Sequence, residues 1–281
     1  MTRVAVVVPC YDDPLVVEAV ESARGQDEGH ELVVVDDGSR DEAALAALER
    51  LSADGVRVVR RENGGLAAAR MTGVEETSAP YVFPLDSDDL LEPGILRLLA
   101  DALQSSPRAG VAWGNVTIFG DFELSLRPAT SLDPWKLTFS SEIPGTSLVR
   151  RSALLDVGGW TVKRAYEDWD LWLSFAEAGW EGVYVPAPML RYRRHGQRML
   201  GDAISIHGDL VAEIRGRHPR LWADRHRLRA RSREPLRVKV ALTLVGALPF
   251  VSEFTRLRLS HAVSRPGEVL ATRRLRRSAD R

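Results

Sequence analysis

The 281-residue chain is predicted to fold as an α/β protein, with a mostly parallel sheet covered by helices on both faces. Short valine-rich runs alternate with amphipathic helical patterns through the first hundred residues. The runs are apolar at nearly every position, as in strands that are buried on both sides. A composition of 44% hydrophobic and 27% charged residues is that of a globular protein, which excludes a disordered or collagen-like chain.

Four strand–helix units are expected in order along the first part of the chain. Their strands are predicted at residues 3–9, 31–36, 56–60 and 81–86. Their helices are predicted at residues 14–24, 41–51, 65–77 and 93–104. Asp12 or Asp13 is the expected N-cap of the first helix. Because ligands bind at the carboxyl ends of strands in such sheets, polar residues there are candidates for a functional site.

The pattern is less regular beyond residue 105. We predict a strand at 110–116, a mobile loop at 126–144, helices at 151–156 and 168–178, and strand-like segments at 182–186 and 190–194. From about residue 202 the chain is expected to be helical and increasingly basic. The predicted organisation has three parts: residues 1–104 and 105–215 form two halves of one domain, and residues 216–281 form a basic, partly amphipathic helical tail.

Charge is unevenly distributed along the chain. Residues 1–190 carry a net charge of −15 and residues 191–281 a net charge of +14. A nucleic-acid-binding protein is not expected to show this split, whereas the basic part suits phosphate, lipid headgroups or the chain's own acidic part. The single cysteine, Cys10, excludes an internal disulfide and suits a reducing compartment. We expect no secretory signal, and no apolar run approaches the ~20 residues of a spanning helix.

Carboxylates follow two of the predicted strands. Asp36 and Asp37 end the second strand, where one can cap a helix and the other can accept hydrogen bonds from a base N–H or a ribose hydroxyl. Asp86, Asp88 and Asp89 follow the fourth strand within four positions. Such like charges repel each other unless a cation joins them, and their oxygens suit Mg²⁺ or Mn²⁺ bridged to a diphosphate. Capping of the next helix is the alternative interpretation.

A glycine pair precedes the third helix. Gly64 and Gly65 allow a tight turn at a helix start, where backbone N–H groups attract anions. Arg70 is placed either to reach a nucleotide base or phosphate or to face solvent. The chain contains neither G-x-G-x-x-G nor a Walker A lysine, so dinucleotide oxidoreductases and P-loop NTPases lose their main support.

Five segments together resemble the inverting GT-A glycosyltransferases of family 2. In chain order they are VVVPCYDD, VVVDDGSRD, NGGLAAAR, PLDSDD and AYEDWDLWLSFAEAG, and they fall within residues 1–200. The resemblance implies a GT-A fold, with residues 1–104 as the nucleotide-sugar-binding half and residues 105–215 as the acceptor-binding half. It also implies a transfer, dependent on Mg²⁺ or Mn²⁺, of a sugar from a nucleotide-diphosphate donor to an acceptor hydroxyl.

The same resemblance implies a base pocket at the ends of the first strands. Pro9 and Tyr11 would line this pocket. Asp37 or Asp36 would bond to the base, with Arg70 beside it.

The resemblance further implies a metal site and a catalytic base. Asp88 would be the main metal ligand of a D-x-D motif, and Asp86 would contact the ribose or the metal's water shell. Asp168 would take the proton from the acceptor hydroxyl as its oxygen attacks the anomeric carbon opposite the leaving diphosphate; the alternative role is a helix N-cap. Trp160 would stack on a sugar face or lie buried. His195 would complete the metal or diphosphate site or be an ordinary surface or core residue.

The implied setting is bacterial surface-polysaccharide or glycolipid assembly on the cytoplasmic side, with a saccharide or lipid-linked acceptor and no nucleic acid. One alternative is a sugar-nucleotide pyrophosphorylase. Such an enzyme usually has a glycine-rich triphosphate-binding loop after the first strand, where this chain has the sequence PCYDDP. The other is a catalytically inactive GT-A-like scaffold, against which the intact Asp86, Asp88 and Asp168 argue.

The C-terminal tail combines regularly spaced cationic and apolar residues. Its arginines recur at every second position, at Arg225, Arg227, Arg229, Arg231 and Arg233. Its apolar residues recur at helical spacing, at Leu236, Val240, Leu244, Leu248 and Val251. This pattern predicts a helix lying in an anionic membrane surface, peripheral on the inner face of the cell membrane. The alternative is that the apolar stripe packs on the catalytic domain while the arginines face its acidic surface or solvent.

Overall fold

The computed structural model describes most of the chain, namely residues 2–120, 122–162, 164–194, 206–248 and 251–264. The nine strands of this part are β1 (Val4–Cys10), β2 (His30–Asp36), β3 (Arg57–Arg60), β4 (Tyr81–Pro84), β5 (Leu90–Leu91), β6 (Ala109–Gly120), β7 (Leu124–Leu126), β8 (Leu148–Arg150) and β9 (Glu181–Arg194). The first seven helices are α1 (Val16–Arg24), α2 (Glu42–Ala53), α3 (Leu66–Glu75), α4 (Ile95–Ser105), α5 (Pro134–Leu137), α6 (Arg151–Asp156) and α7 (Glu167–Ala178). The helices that follow are α8 (His207–Arg217), α9 (Pro219–Ala223), α10 (Arg225–Arg231), α11 (Leu236–Ala247) and α12 (Glu253–Ser264).

These strands form one sheet in the spatial order β3-β2-β1-β4-β8-β6-β9-β5, with β7 paired to β6. Strands β1 to β4 pair in parallel, as the strand–helix alternation predicts. Beyond β4 the sheet is mixed, because β8 runs antiparallel to both β4 and β6 whereas β9 runs parallel to β6. The α/β prediction, with helices on both faces, is confirmed.

The core lies on both sides of the central strands. All seven residues of β1 are buried, which explains why its valines show no polar alternation. Helix α3 approaches this strand closely at Gly73, where an added Cβ would lie 2.1 Å from Cγ1 of Val7. Because β1 pairs in parallel with both β2 and β4, the carboxyl ends of these three strands lie side by side at one edge of the sheet.

The prediction that Asp12 or Asp13 caps the first helix is wrong. Helix α1 has Leu15 at its N-cap position, without a side-chain cap. Asp13 instead accepts hydrogen bonds from Leu15 N at 3.0 Å and from Ser87 Oγ at 2.6 Å. Asp12, with a φ of +50°, accepts from Asp41 N at 2.8 Å. Both carboxylates thus tie together the loops that follow different strands, a long-range role that local capping statistics do not contain.

The loop expected to be mobile at residues 126–144 is a packed segment. It contains α5, whose N-cap Asp133 accepts hydrogen bonds from Trp135 N at 3.0 Å and Lys136 N at 3.1 Å. Trp135 is buried against Val238 and Leu242 of α11. A tail far away in sequence therefore orders a segment that looks irregular when considered alone.

The C-terminal helices pack against the rest of the chain through ion pairs as well as apolar contacts. Lys136 Nζ lies 3.1 Å from Glu234 of the tail. Asp170, on α7, bonds Arg217 Nε at 2.6 Å and His218 Nε2 at 3.0 Å. The helical tail is thus joined to the part of the chain that carries the sheet, and the predicted boundaries at 104 and 215 stay predictions. None of the helices described in this structure is long and apolar enough to cross a membrane.

We predict that Gly73→Ala destabilises the protein by about 1–3 kcal/mol, because the new methyl group must displace β1 or α3 from their contact at Val7. The free energy of unfolding in urea measures this loss. Gly29→Ala is the matched control, since a Cβ at Gly29 meets nothing within 4 Å. Equal stability of the two variants would show that α3 and β1 separate without cost.

Candidate functional site

A cleft of about 1030 Å³ opens at the carboxyl ends of β1, β2 and β4 and extends over β6, β9 and α7. Seven of the predicted site residues line it, namely Pro9, Tyr11, Asp37, Arg70, Asp86, Asp88 and Asp168. Asp36 and Trp160 are buried beside the cleft and do not line it. His195 lies outside the described residues. Side chains that are far apart in sequence therefore meet in one cavity.

The adjacent carboxylates that end β2 have different partners. Asp37 accepts hydrogen bonds from Gly64 N at 3.0 Å and Gly65 N at 2.7 Å, so it holds the glycine turn that starts α3. Gly65 has a φ of +84°, a conformation that favours glycine. Asp36 accepts from Ser39 N at 2.8 Å and stabilises its own turn. The sequence left open which aspartate faces a ligand, and only Asp37 reaches the cleft wall.

Arg70 joins the two sides of the cleft. Its side chain is 2% exposed, so the solvent-facing alternative is wrong. One terminal nitrogen donates to Asp86 Oδ1 and the other to Glu167 Oε1, each at 2.8 Å. The guanidinium also lies over the buried ring of Trp160, 5.7 Å from its centroid. Trp160 therefore supports Arg70 from the protein interior.

The carboxylates of the Asp86–Asp89 cluster point to different partners. Asp89 is buried and accepts a hydrogen bond from Arg193 N of β9 at 2.8 Å. Asp86 accepts from Arg70 and, at 3.4 Å, from Thr146 Oγ1. Asp88 lines the cleft. The Arg70 guanidinium and the backbone N–H of Arg193 therefore stabilise two of the carboxylates whose repulsion suggested a bound cation.

The donor set at the cleft suits a divalent ion that is held mainly by a substrate. Mg²⁺ is usually bound by one or two carboxylates together with substrate phosphates, and Asp88 beside Asp86 supplies such carboxylates. Among the described residues, no three His, Cys, Asp or Glu side chains are grouped to hold an ion by themselves.

Asp168 lies in the first turn of α7 and lines the same cleft as Asp88. Tyr166 is the N-cap residue, so the alternative role of Asp168 as the N-cap of this helix is excluded. Asp168 Oδ1 accepts a hydrogen bond from Trp169 N at 2.7 Å. Burial and the neighbouring charge of Glu167 raise the pKa of Asp168 to about 7. Such a carboxyl group can accept a proton near neutral pH.

Three residues that were not among the predicted site residues shape this part of the cleft. Gly145 leaves room for Asp168, because an added Cβ would lie 3.1 Å from the Asp168 Cβ. Thr146 bonds Asp86. Tyr166 adopts a left-handed backbone with a φ of +64°, and its hydroxyl lies 2.8 Å from Nδ1 of His207 in α8. The turn-forming pair Pro144-Gly145 was the one sequence signal available for this group.

The C-terminal helix α12 also contributes to the cleft. Its Leu257 and His261 line the cavity together with Tyr166 and Trp169. Phe254, one turn earlier on α12, packs edge-on against His207 with ring centroids 6.1 Å apart. The tail is therefore part of the cavity wall, which its separate position in the sequence did not predict.

A family model described as Glycosyl transferase family 2 matches residues 5–158. Among curated relatives, the succinoglycan biosynthesis protein ExoU of Rhizobium meliloti is 42% identical over 29% of this chain and 24% of its own length. An uncharacterized glycosyltransferase of Rickettsia bellii is 26% identical over 73% of this chain and 32% of its own length. The chain spans less than a third of the length of these relatives.

A solved structure shows the same fold. The S. aureus TarS 1–349 structure in complex with UDP-GlcNAc superimposes with a TM-score of 0.59. The match covers 94% of this chain and 92% of TarS 1–349, at 16% sequence identity. The expected GT-A fold is thereby confirmed.

We predict that Arg70→Ala destabilises the protein by about 3–5 kcal/mol, because it leaves Asp86 and Glu167 without the buried cation between them. Thermal and urea unfolding measure the loss. The matched control is Arg57→Ala, which breaks an exposed pair with Glu76 and should cost at most about 1 kcal/mol. If the two variants lose the same stability, Arg70 does not hold the two sides of the cleft together.

Proposed function

Because the chain belongs to glycosyl transferase family 2, we propose that it transfers a sugar from a nucleotide-diphosphate donor to an acceptor hydroxyl with inversion. The observation that carries this proposal is the position of Asp168. Its carboxyl group shares a cleft with Asp88 and Asp86, and its pKa is raised to about 7. A proton acceptor thus faces the carboxylates that suit a metal-bound diphosphate.

The donor is assigned to the side of the cleft formed by β1, β2 and the glycine turn. Tyr11 is 49% exposed there, and Pro9 lines the same wall, so both offer apolar surface to a nucleobase. Asp37 is the carboxylate we assign to this pocket, because Asp36 is turned into its own loop. The bound UDP-GlcNAc of TarS, which has the same fold, supports a nucleotide sugar as the donor.

Asp88 would hold Mg²⁺ or Mn²⁺ together with the diphosphate oxygens of the donor, with Asp86 beside it. When bound, the ion would offset the negative charge that develops on the leaving diphosphate. The bond from Arg70 limits Asp86 to a supporting position, since one of its oxygens is already an acceptor at 2.8 Å. His195, which lies outside the described residues, stays a prediction as a further ligand.

Asp168 would remove the proton of the acceptor hydroxyl during the attack on the anomeric carbon. Oδ1 is already bonded to Trp169 N, so Oδ2, which faces Gly145, is the oxygen we assign to the proton. The ion pair from Glu167 to Arg70 holds the start of α7 in place during this step. A single displacement with one base needs no covalent intermediate and inverts the anomeric centre.

We place the reaction in the assembly of bacterial cell-surface polysaccharide or glycolipid, with a saccharide or lipid-linked acceptor. ExoU, named for succinoglycan biosynthesis, supports this setting. The enzyme would act on the cytoplasmic side, peripheral to the membrane. Neither a pyrophosphorylase nor an inactive scaffold accounts as well for a family 2 chain that keeps a carboxyl base opposite the metal motif.

Asp168→Asn should reduce turnover by about 10²–10⁴-fold while leaving donor affinity nearly unchanged, because the amide keeps the shape but cannot take the proton. The donor to use is the nucleotide sugar that raises the melting temperature most in a screen with Mn²⁺. Turnover is then measured at saturating donor, and affinity by calorimetry. Activity within a few-fold of wild type would remove Asp168 from the role of base.

Glu167→Gln is the matched control for that variant. Wild-type activity should fall below a pH of about 7, as Asp168 becomes protonated. The charge of Glu167 raises that pKa, so its removal should move the acidic limb of the profile to lower pH while the enzyme stays active. A larger loss of turnover for Glu167→Gln than for Asp168→Asn would identify Glu167 as the base.

Asp88→Ala should abolish the part of donor affinity that depends on Mn²⁺ and that EDTA removes. Asp89→Asn is the matched control from the same motif, since its amide oxygen can still accept from Arg193 N, and it should keep metal-dependent affinity within a few-fold. Calorimetric titration of each variant with the donor, with and without Mn²⁺, makes the comparison. Unchanged affinity for Asp88→Ala would overturn the metal assignment.

A further inference from the structure

Helix α11 has two different apolar faces. Val238, Leu242 and Val245 are buried, and the first two pack on Trp135. The other face carries three large exposed apolar side chains, Leu236 at 73%, Val240 at 45% and Leu244 at 63%, and Leu248, the C-cap residue that follows them at helical spacing, is 41% exposed. At about 100° per residue, the exposed face covers an arc of about 120°, and its centre lies about 150° from that of the buried face. Packing on the domain therefore leaves an entire apolar stripe uncovered.

The charge around this stripe favours an anionic partner. Residues 225–248 contain seven Lys and Arg side chains and one acid, Glu234. Glu234 is already paired with Lys136, and residues 235–252 contain no acidic residue. Arg237 is exposed on the first turn of α11, within the arc of the stripe. Such an apolar face bordered by cations matches the acyl and headgroup regions of an anionic bilayer.

We propose that the stripe of Leu236, Val240, Leu244 and Leu248 docks the enzyme on an anionic membrane surface. A second copy of the chain is a poorer occupant, because a symmetric contact through this face would bring two basic clusters together. The two alternatives predicted for the tail, membrane binding and packing on the catalytic domain, would then both apply to one helix. One face of α11 packs on the catalytic part, and the other inserts among lipid headgroups.

Docking through this stripe also orients the cleft. Helix α12 packs against α11 and lines the cavity with Leu257 and His261. The wall of the cleft next to Asp168 is therefore the wall nearest the docking helix. This orientation rests on the proposed function, and it would bring a lipid-linked acceptor to Asp168 from the membrane side.

Vesicle co-sedimentation tests the docking surface. The full chain should bind phosphatidylcholine vesicles that contain phosphatidylglycerol. High salt should abolish this binding, and vesicles of phosphatidylcholine alone should not bind the chain. Leu236→Ser with Leu244→Ser should lower the partition coefficient by roughly tenfold or more, because it removes apolar area without adding negative charge. Both side chains are exposed, so the melting temperature should stay close to that of wild type.

Leu155→Ser is the matched control, since Leu155 is 54% exposed on α6, outside the C-terminal helices, and should bind vesicles like wild type. Equal binding by wild type and the double variant would overturn the proposal, as would the absence of wild-type binding. A double variant that changes from dimer to monomer in size-exclusion chromatography, with unchanged vesicle binding, would assign the stripe to a second copy. Hydrolysis of the donor without vesicles is measured in parallel, so that failure of docking and failure of the transferase assignment are distinguished.

Discussion

The fork of Arg70 between Asp86 and Glu167 is the contact on which the rest of the cleft depends. Asp86 follows the parallel strand β4, whereas Glu167 begins α7, which belongs to the later part of the chain. A buried guanidinium with two carboxylate partners has a strict geometry, because each terminal nitrogen donates to one acceptor. The Arg70 side chain, which packs on Trp160, therefore fixes the position of Asp86 relative to Glu167.

The same contact separates the electrostatic roles of nearby carboxyl groups. Glu167 stays paired with Arg70, and its charge, together with burial, raises the pKa of Asp168. Asp86 is likewise held by Arg70, while Asp88 remains directed to the cleft. Groups of one chemical type thus become a structural anion, a candidate proton acceptor and a candidate metal ligand, because their neighbours differ.

The sequence was sufficient to predict the parallel strands and to select site residues most of which line the cleft, because strand ends and short motifs are local features. It was insufficient where long-range partners decide the conformation. Asp12 and Asp13 have the composition of a helix cap, yet they bond loops that follow other strands. The packing of residues 126–144 depends on α11, and the left-handed backbone of Tyr166 accompanies a bond to His207. No pattern within these segments reports on such partners.

The tail shows how one helix can satisfy two physical demands. Burying Val238 and Leu242 against Trp135 fixes α11 to the catalytic part, and this attachment leaves Leu236 and Leu244 on the outside at a cost in exposed apolar area. A helix that served packing alone would gain solubility from polar residues at those positions. The tail also places α12 in the cleft wall, so any partner that covers the exposed stripe lies close to the helix that lines the cavity with Leu257 and His261. The attachment of the tail, its exposed apolar stripe and one wall of the cleft are therefore linked through the same pair of helices.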